Sequence, residues 1–204
     1  MSLWAVVPIK PLQQGKSRLS GVLSPEERSG LNVSLLEQTL RTLQKIPEID
    51  RILVVSRDAA ALGRAHALGV STFQENGEPG LNEALHAATS YIQAHDGQGI
   101  LILPADLPLL QAEDIRAILA CGSVPPVMVI SPDRHKQGTN ALMINPAGMI
   151  PYTFGENSFQ KHCALAVDAG ISVKVCELPS VALDLDLPED LFIFQQMGIG
   201  GLIF

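Results

Sequence analysis

Three cations stand within nine residues of one turn, Lys10, Lys16 and Arg18 in "IKPLQQGKSRL", although the chain carries a formal net charge of −7. Any one of them alone reads as solvated charge. Their grouping behind an apolar run, in a turn marked by Pro11 and Gly15, suits a small anion. Such a turn presents cations and backbone N–H groups at the carboxyl end of a parallel strand, where α/β folds bind ligands. The segment "GKS" is not a phosphate-binding P-loop. That motif places a glycine five positions before its second glycine, and Lys10 occupies that position.

Carboxylates form the complementary set. In "ILILPADLPLL" a buried strand runs to its carboxyl end and then presents Asp106 between prolines, with no cation beside it in sequence. It is either a turn or N-cap aspartate or a ligand for a hard cation such as Mg²⁺, which takes one or two protein carboxylates and fills its shell with water and phosphate oxygens. In "VALDLDLPEDL" strand alternation places Asp184 and Asp186 on one face, about 7 Å apart. Side by side they repel unless a cation lies between them. One of the two could instead cap a helix starting at Pro188. Glu189 and Asp190 read as ordinary first-turn acids without chemistry.

A third group lies in "SPDRHKQGTNALMIN" and "FGENSFQKH". Gly138, Thr139 and Asn140 open a strand, and Gly155 and Ser158 lead into a helix whose free N–H groups suit an anion. Arg134, His135 and Lys136 add positive charge or form a solvated hairpin tip, the second being preferred for His135. No G-x-S-x-G, H-E-x-x-H or local Cys–His signature occurs, so nothing points to covalent hydrolysis or zinc chemistry.

The elements that must position these residues alternate between strand and helix, as in βαβ units around a mostly parallel sheet. "LWAVVPI" (3–9), "RILVVS" (51–56), "VSTFQ" and "GILILP" (99–104) read as strands, their continuous apolar character implying cover on both faces. Ser24, Pro25 and Glu27 make a capping box for a helix that buries Leu31, Leu35, Leu36, Leu40 and Leu43. Further helices are expected over "DAAALGRAHALG", "GLNEALHAATSYIQAH", "QAEDIRAILAC", "SFQKHCALAVDAG" and "PEDLFIFQQMG". "PVMVIS" and "NALMIN" lie too close together for a helical crossover and predict an antiparallel pair. "ISVKVCEL" and "VALDLDL" are expected to be strands. The final "GIGGLIF" lacks the context of a dinucleotide fingerprint; it covers the core or makes a subunit contact, the latter implying a homodimer.

At 204 residues and 47% hydrophobic the chain can bury one sizeable core, so a single domain over 1–204 is expected. A pI near 5.1 and the lack of a long basic run argue against a nucleic-acid backbone or an anionic membrane as partner. Cys121, Cys163 and Cys176 are odd in number and widely spaced, consistent with reduced cytosolic thiols and not with a disulfide framework. No apolar run approaches the roughly 18 residues of a membrane span, and no leader is evident. A cytoplasmic protein is expected.

The stretches "VVPIKPLQQGKSRLSGVLSPEER", "PADLPLL", "SPDRHKQGTNALMIN", "FGENSFQKH" and "LDLDLPEDL", in this order and nearly end to end, resemble the 2-phospho-L-lactate guanylyltransferase family. Its bacterial members use phosphoenolpyruvate, and it serves biosynthesis of the deazaflavin coenzyme F-420. The first and third stretches are specific to it; "ADLP" and "DLDLPEDL" are shared with nucleotidyltransferases in general. The resemblance implies an α/β, mostly parallel mixed sheet with helices on both faces, a glycosyltransferase-A-like nucleotidyltransferase fold. It implies attack by an acceptor phosphate oxygen on the α-phosphorus of GTP with loss of pyrophosphate. Lys16, joined by Lys10 and Arg18, would cradle the GTP phosphates, and Asp106 with Asp186 or Asp184 would hold Mg²⁺, making Lys16 and Asp106 the catalytic pair. Thr139, Gly155 and Ser158 match positions for the small phosphorylated carboxylate, phosphoenolpyruvate being preferred. Gly80 and Asn82 in "GLN" match positions near the nucleoside. Leu187 departs from the family pattern, where threonine is expected.

Two other readings compete. A nucleotidyltransferase for a sugar phosphate or a molybdenum cofactor precursor would share the charged groups, but "PDRHKQGTN" offers hydroxyls and cations and few aromatic faces for a sugar or pterin. A noncatalytic nucleotide-binding subunit would not need Lys16, Asp106 and the Asp184/Asp186 pair together.

Overall fold

Pairing of the apolar runs produces one seven-stranded sheet in the computed structural model, which describes residues 2–76 and 80–197. The strands are β1 (Leu3–Pro8), β2 (Arg51–Ser56), β3 (Ser71–Gln74), β4 (Gly99–Ile102), β5 (Val127–Pro132), β6 (Thr139–Asn145) and β7 (Ser172–Val175), in spatial order β3-β2-β1-β4-β6-β5-β7. β1 runs parallel to β2 and β4, β2 to β3 and β5 to β7. β6 alone runs against both its neighbours, β4 and β5. The short 133–138 connection requires this, because six residues can turn a hairpin but cannot return the chain for a parallel pairing. As a result the start of β6, Thr139, lies at the same sheet edge as the carboxyl ends of β1 and β4.

Seven α-helices lie among the described residues: α1 (Pro25–Leu43), α2 (Ala59–Ala67), α3 (Leu81–Ala94), α4 (Ala112–Cys121), α5 (Ser158–Asp168), α6 (Pro179–Ala182) and α7 (Pro188–Gln196). Alternate residues of each strand feed two cores. Leu3, Ala5, Val7, Leu101 and Val129 pack with Leu36 and Leu40 of α1, Ala65 of α2 and Ile118 of α4. Trp4, Val6, Ile100, Ile102 and Leu142 pack with Leu85 and Ile92 of α3 and Ala166 of α5. Both faces are therefore covered, as the continuous apolar runs require. The capping box forms as expected: Ser24 Oγ accepts from the Glu27 N–H (3.1 Å) and Glu27 Oε2 accepts from the Ser24 N–H (2.7 Å).

A third cluster joins Leu19, Leu31, Leu35, Leu183, Leu185 and Phe194. It ties the cationic turn and α1 to the segment carrying Asp184 and Asp186. That segment is not a strand. Its alternation is as expected, with Leu183 and Leu185 buried, but in place of a ladder it makes isolated backbone bonds, Leu185 N–H to the Asp106 carbonyl at 3.0 Å and Arg134 N–H to the Ala182 carbonyl at 2.9 Å. The leucines turn into the third cluster, and the segment is confined between the end of the one-turn α6 and the start of α7 at Pro188. Leu187, the N-cap of α7, offers no side-chain acceptor. Asp190 compensates from within the helix, accepting from the N–H groups of Asp186 (3.0 Å) and Leu187 (2.6 Å). The tail "GIGGLIF" (198–204) lies outside the described residues.

Candidate active site

Lys16 follows a close approach and sits in an uncommon backbone state. A Cβ on Gly15 would come within 2.6 Å of the Asn32 amide, which donates to the Leu12 carbonyl at 2.7 Å; only glycine lets the turn pack against α1. Lys16 itself is left-handed (φ 58°, ψ 34°), which costs a non-glycine residue on the order of 1–2 kcal/mol. That geometry leads the side chain inward. Lys16 Nζ lies 3.3 Å from Asp106 Oδ2 with its side chain only 7% exposed, and a nearly buried ammonium needs such a partner. Asp106, isolated from cations in sequence, is thus met by one from ninety residues earlier. Arg18 reaches Asp186 at 2.6 Å in a more open setting, where an ion pair contributes about 0–1 kcal/mol. Lys10 stands exposed on the same turn.

Asp184 is half-buried, beside Asn140. Burial, and then the charge of Asp106, push its carboxyl up to about 6. Asn140, one residue into β6, donates to the Val181 carbonyl at 2.9 Å and makes a long contact to Asp184 Oδ1 at 3.4 Å. Asp106 and Asp184 therefore form the like-charged pair, whereas Asp186 is turned to Arg18. Among the described residues no group of three or more His, Cys, Asp or Glu is arranged to hold a metal ion. Two carboxylates are what Mg²⁺ takes when substrate phosphates complete its shell.

Beside these ions lies a neutral group. Thr139 and Ser158 are both buried with hydroxyl oxygens 3.1 Å apart. His162, one helical turn after Ser158 and fully buried, places Nδ1 3.1 Å from Thr139 Oγ1 and accepts at Nε2 from the Thr153 N–H at 3.0 Å. Burial holds its imidazole down to about 4. Gly155 has φ +126°, a backbone state that favours glycine, and is exposed. Gly80 is the N-cap of α3. The Asn82 side chain is spent on the loop before Gly155, donating to the Phe154 carbonyl (3.2 Å) and accepting from the Phe154 N–H (2.8 Å). Its observed contacts hold that loop.

The hairpin cations are not a free positive tip. Arg134 pairs with the buried Asp190 at 2.8 Å and reaches Glu189 at 3.7 Å, and Lys136 pairs with Glu177 at 2.7 Å. His135 is exposed, as expected. Asp133 Oδ1 fixes the hairpin by accepting from the N–H groups of His135 (3.1 Å) and Gln137 (2.8 Å). Sequence reasoning missed His162 and the structural uses of Asn140 and Asp190. His162 was detectable from its i, i+4 spacing to Ser158, which puts both on one helix face; Asp190 looked like any first-turn acid.

A family described as "Guanylyl transferase CofC like" matches residues 3–199. A phosphoenolpyruvate guanylyltransferase from Rubrobacter xylanophilus is 42% identical over 198 residues, covering 97% of this chain and 96% of that one. A 2-phospho-L-lactate guanylyltransferase from Methanothermobacter thermautotrophicus is 36% identical over 191 residues, covering 94% and 83%. A crystal structure from Desulfovibrio desulfuricans, assigned to the nucleotide-diphospho-sugar transferases, superposes with a TM-score of 0.80 at 15% identity, covering 98% of this chain and 90% of that one. It supports the nucleotidyltransferase fold that the family resemblance implied. This chain belongs to the CofC-like guanylyl transferase family.

Proposed function

We propose that this chain transfers GMP from GTP to the phosphate of a small three-carbon carboxylate, phosphoenolpyruvate in preference to 2-phospho-L-lactate, with release of pyrophosphate, in coenzyme F-420 biosynthesis. The observation that carries the reading is the division of one sheet edge into an ionic half, Lys16, Arg18, Asp106 and Asp184, and a neutral hydroxyl half, Thr139 and Ser158, joined through Asn140. The names of the relatives at 42% and 36% identity support the substrate class. A cytoplasmic setting fits a protein in which no described helix is long and apolar enough to cross a membrane.

In this reaction a bond forms between an acceptor phosphate oxygen and the α-phosphorus, the bond to the β-phosphate oxygen breaks, and pyrophosphate leaves. The attacking oxygen is already anionic, so no general base is required. His162 does not act as one: its Nε2 lone pair is taken by the Thr153 N–H. What the chain must supply is positioning and relief of repulsion between two polyanions. Lys16 and Arg18, with Lys10 at the rim, supply positive charge to the triphosphate. Thr139, Ser158 and the backbone at Gly155 hold the acceptor.

The carboxylates fit a Mg²⁺ ion, because burial and mutual repulsion both disfavour an ionised Asp184 beside Asp106 and a divalent cation relieves both. Asp106 and Asp184 would hold it, with Asp186 in reserve through Arg18. When bound, the ion would neutralise charge developing on the reacting phosphates. A pyrophosphate-release assay with GTP and each of phosphoenolpyruvate, 2-phospho-L-lactate and 3-phosphoglycerate tests the reading. Release with phosphoenolpyruvate above the other two is expected; release only with 3-phosphoglycerate, or with none, contradicts it.

A further inference from the structure

Thr153, His162, Thr139 and Ser158 form a hydrogen-bond chain that begins at a group with no choice of direction. A backbone N–H can only donate, and that of Thr153 meets His162 Nε2 at 3.0 Å. The ring is fully buried, packed edge-on against Phe154 with ring centroids 5.0 Å apart. Its pKa of about 4 leaves it one proton at neutral pH. Because Nε2 accepts, that proton lies on Nδ1 and is donated to Thr139 Oγ1 at 3.1 Å. Ser158 Oγ, 3.1 Å from the same oxygen, donates to it as well. Both lone pairs of the Thr139 hydroxyl are then filled, and its own proton is the unspent one. If the two hydroxyls exchange roles, the unspent proton moves to Ser158 and the count is unchanged.

We propose that His162 is a positioning residue for the acceptor: its Nδ1–H fixes the polarity of the Thr139/Ser158 pair so that one hydroxyl proton is always available to an anionic group of the substrate. A buried histidine that merely filled space would need no particular tautomer. Here the tautomer is set from the far side by an amide, and reversing it would put two donors against each other at Thr153. The inference rests on the assignment of Thr139 and Ser158 to the acceptor.

The test uses the full chain and two substitutions that split the two bonds. In His162→Gln the amide oxygen can take the Nε2 position and keep the Thr153 bond, but the donor to Thr139 is lost. In His162→Asn the amide nitrogen can take the Nδ1 position and keep the donor, but the Thr153 N–H is left unpaired. Steady-state kinetics with GTP and phosphoenolpyruvate should give His162→Gln an acceptor KM raised roughly 10-fold, the worth of one hydrogen bond, with the GTP KM changed less than about 2-fold. His162→Asn should keep the acceptor KM within about 3-fold of wild type while melting at a lower temperature than His162→Gln. An acceptor KM that follows melting temperature across both variants, or one worse in His162→Asn, overturns the proposal.

A second measurement needs no variant: imidazole nitrogen shifts of ¹⁵N-labelled wild type at neutral pH should show the Nδ1–H tautomer. The Nε2–H tautomer or an imidazolium overturns the proposal. Thr139→Val separates the two levels. If it leaves the acceptor KM unchanged, the acceptor assignment has failed; if it raises the KM and His162→Gln does not, the positioning role alone has failed.

Discussion

Around Lys16 the side chains meet as ions, Lys16 with Asp106 at 3.3 Å and Arg18 with Asp186 at 2.6 Å, whereas around Thr139 they meet as neutral donors and acceptors about 3 Å apart. The ionic contacts can be exchanged. A cation facing a carboxylate can turn to a phosphate, and the open Arg18–Asp186 pair holds no single geometry strongly. The neutral contacts are fixed at their inner end by a backbone amide and sealed by burial. The contrast suits two substrates with different demands: a triphosphate that needs charge, and a small acceptor that needs a defined orientation to attack.

The comparison breaks most severely if charge can be removed from the ionic half without loss. Asp106→Asn should lower turnover at saturating Mg²⁺ by at least about 100-fold, the scale for deleting a group that stabilises transition-state charge. The fold should persist. Asparagine is the better test than alanine, because it still offers an acceptor to the nearly buried Lys16. Near-normal turnover would remove Asp106 from the mechanism.

A finer division lies inside the ionic half. Asp184→Asn should raise the Mg²⁺ concentration needed for half-maximal rate by roughly 10- to 100-fold, as for loss of one interaction with a charged group. Asp186→Asn, which removes an exposed pair with Arg18, should change it by less than about 3-fold. Equal small effects would mean that neither carboxylate is a ligand.

The smallest effect concerns the neutral half and acid. His162 titrates at about 4 in the folded chain against an ordinary 6.5, so between those values the unfolded chain holds a proton that the folded chain does not. Its contribution to stability is therefore complete above about pH 6.5 and is lost as pH falls through about 4. His162→Gln does not titrate. Denaturant unfolding of both proteins should show their stability difference narrowing as pH falls from about 7 to about 5; a difference that widens would contradict a buried neutral ring.

Much of the scaffold was legible because it is written in local patterns: the capping box at Ser24, the apolar runs of β1, β2 and β4, and the short hairpin that reverses β6. The segment 183–187 misled because period-two alternation says which residues are buried and not what they are buried against; here it was the cluster of Leu19, Leu31 and Phe194. Lys16 and Asp106 could each be singled out, but their contact spans ninety residues and no local pattern encodes it. The contacts made by His162, Asn140 and Asp190 escaped for a related reason. Each acts through a partner brought near only by the fold, and Asp190 in particular combines an ordinary first-turn position with a long-range pair to Arg134.

The central claim, that the two halves bind different substrates, is tested most directly by a steady-state matrix of GTP against phosphoenolpyruvate for Lys16→Ala and Thr139→Val. Lys16→Ala should weaken GTP binding and largely spare the acceptor. Thr139→Val should lower kcat/KM for the acceptor by roughly 10- to 100-fold, the worth of a hydrogen bond to a charged group, and leave the GTP KM nearly unchanged. If Thr139→Val impaired GTP and spared the acceptor, the two substrates would sit the other way round and the division of the site described here would be wrong.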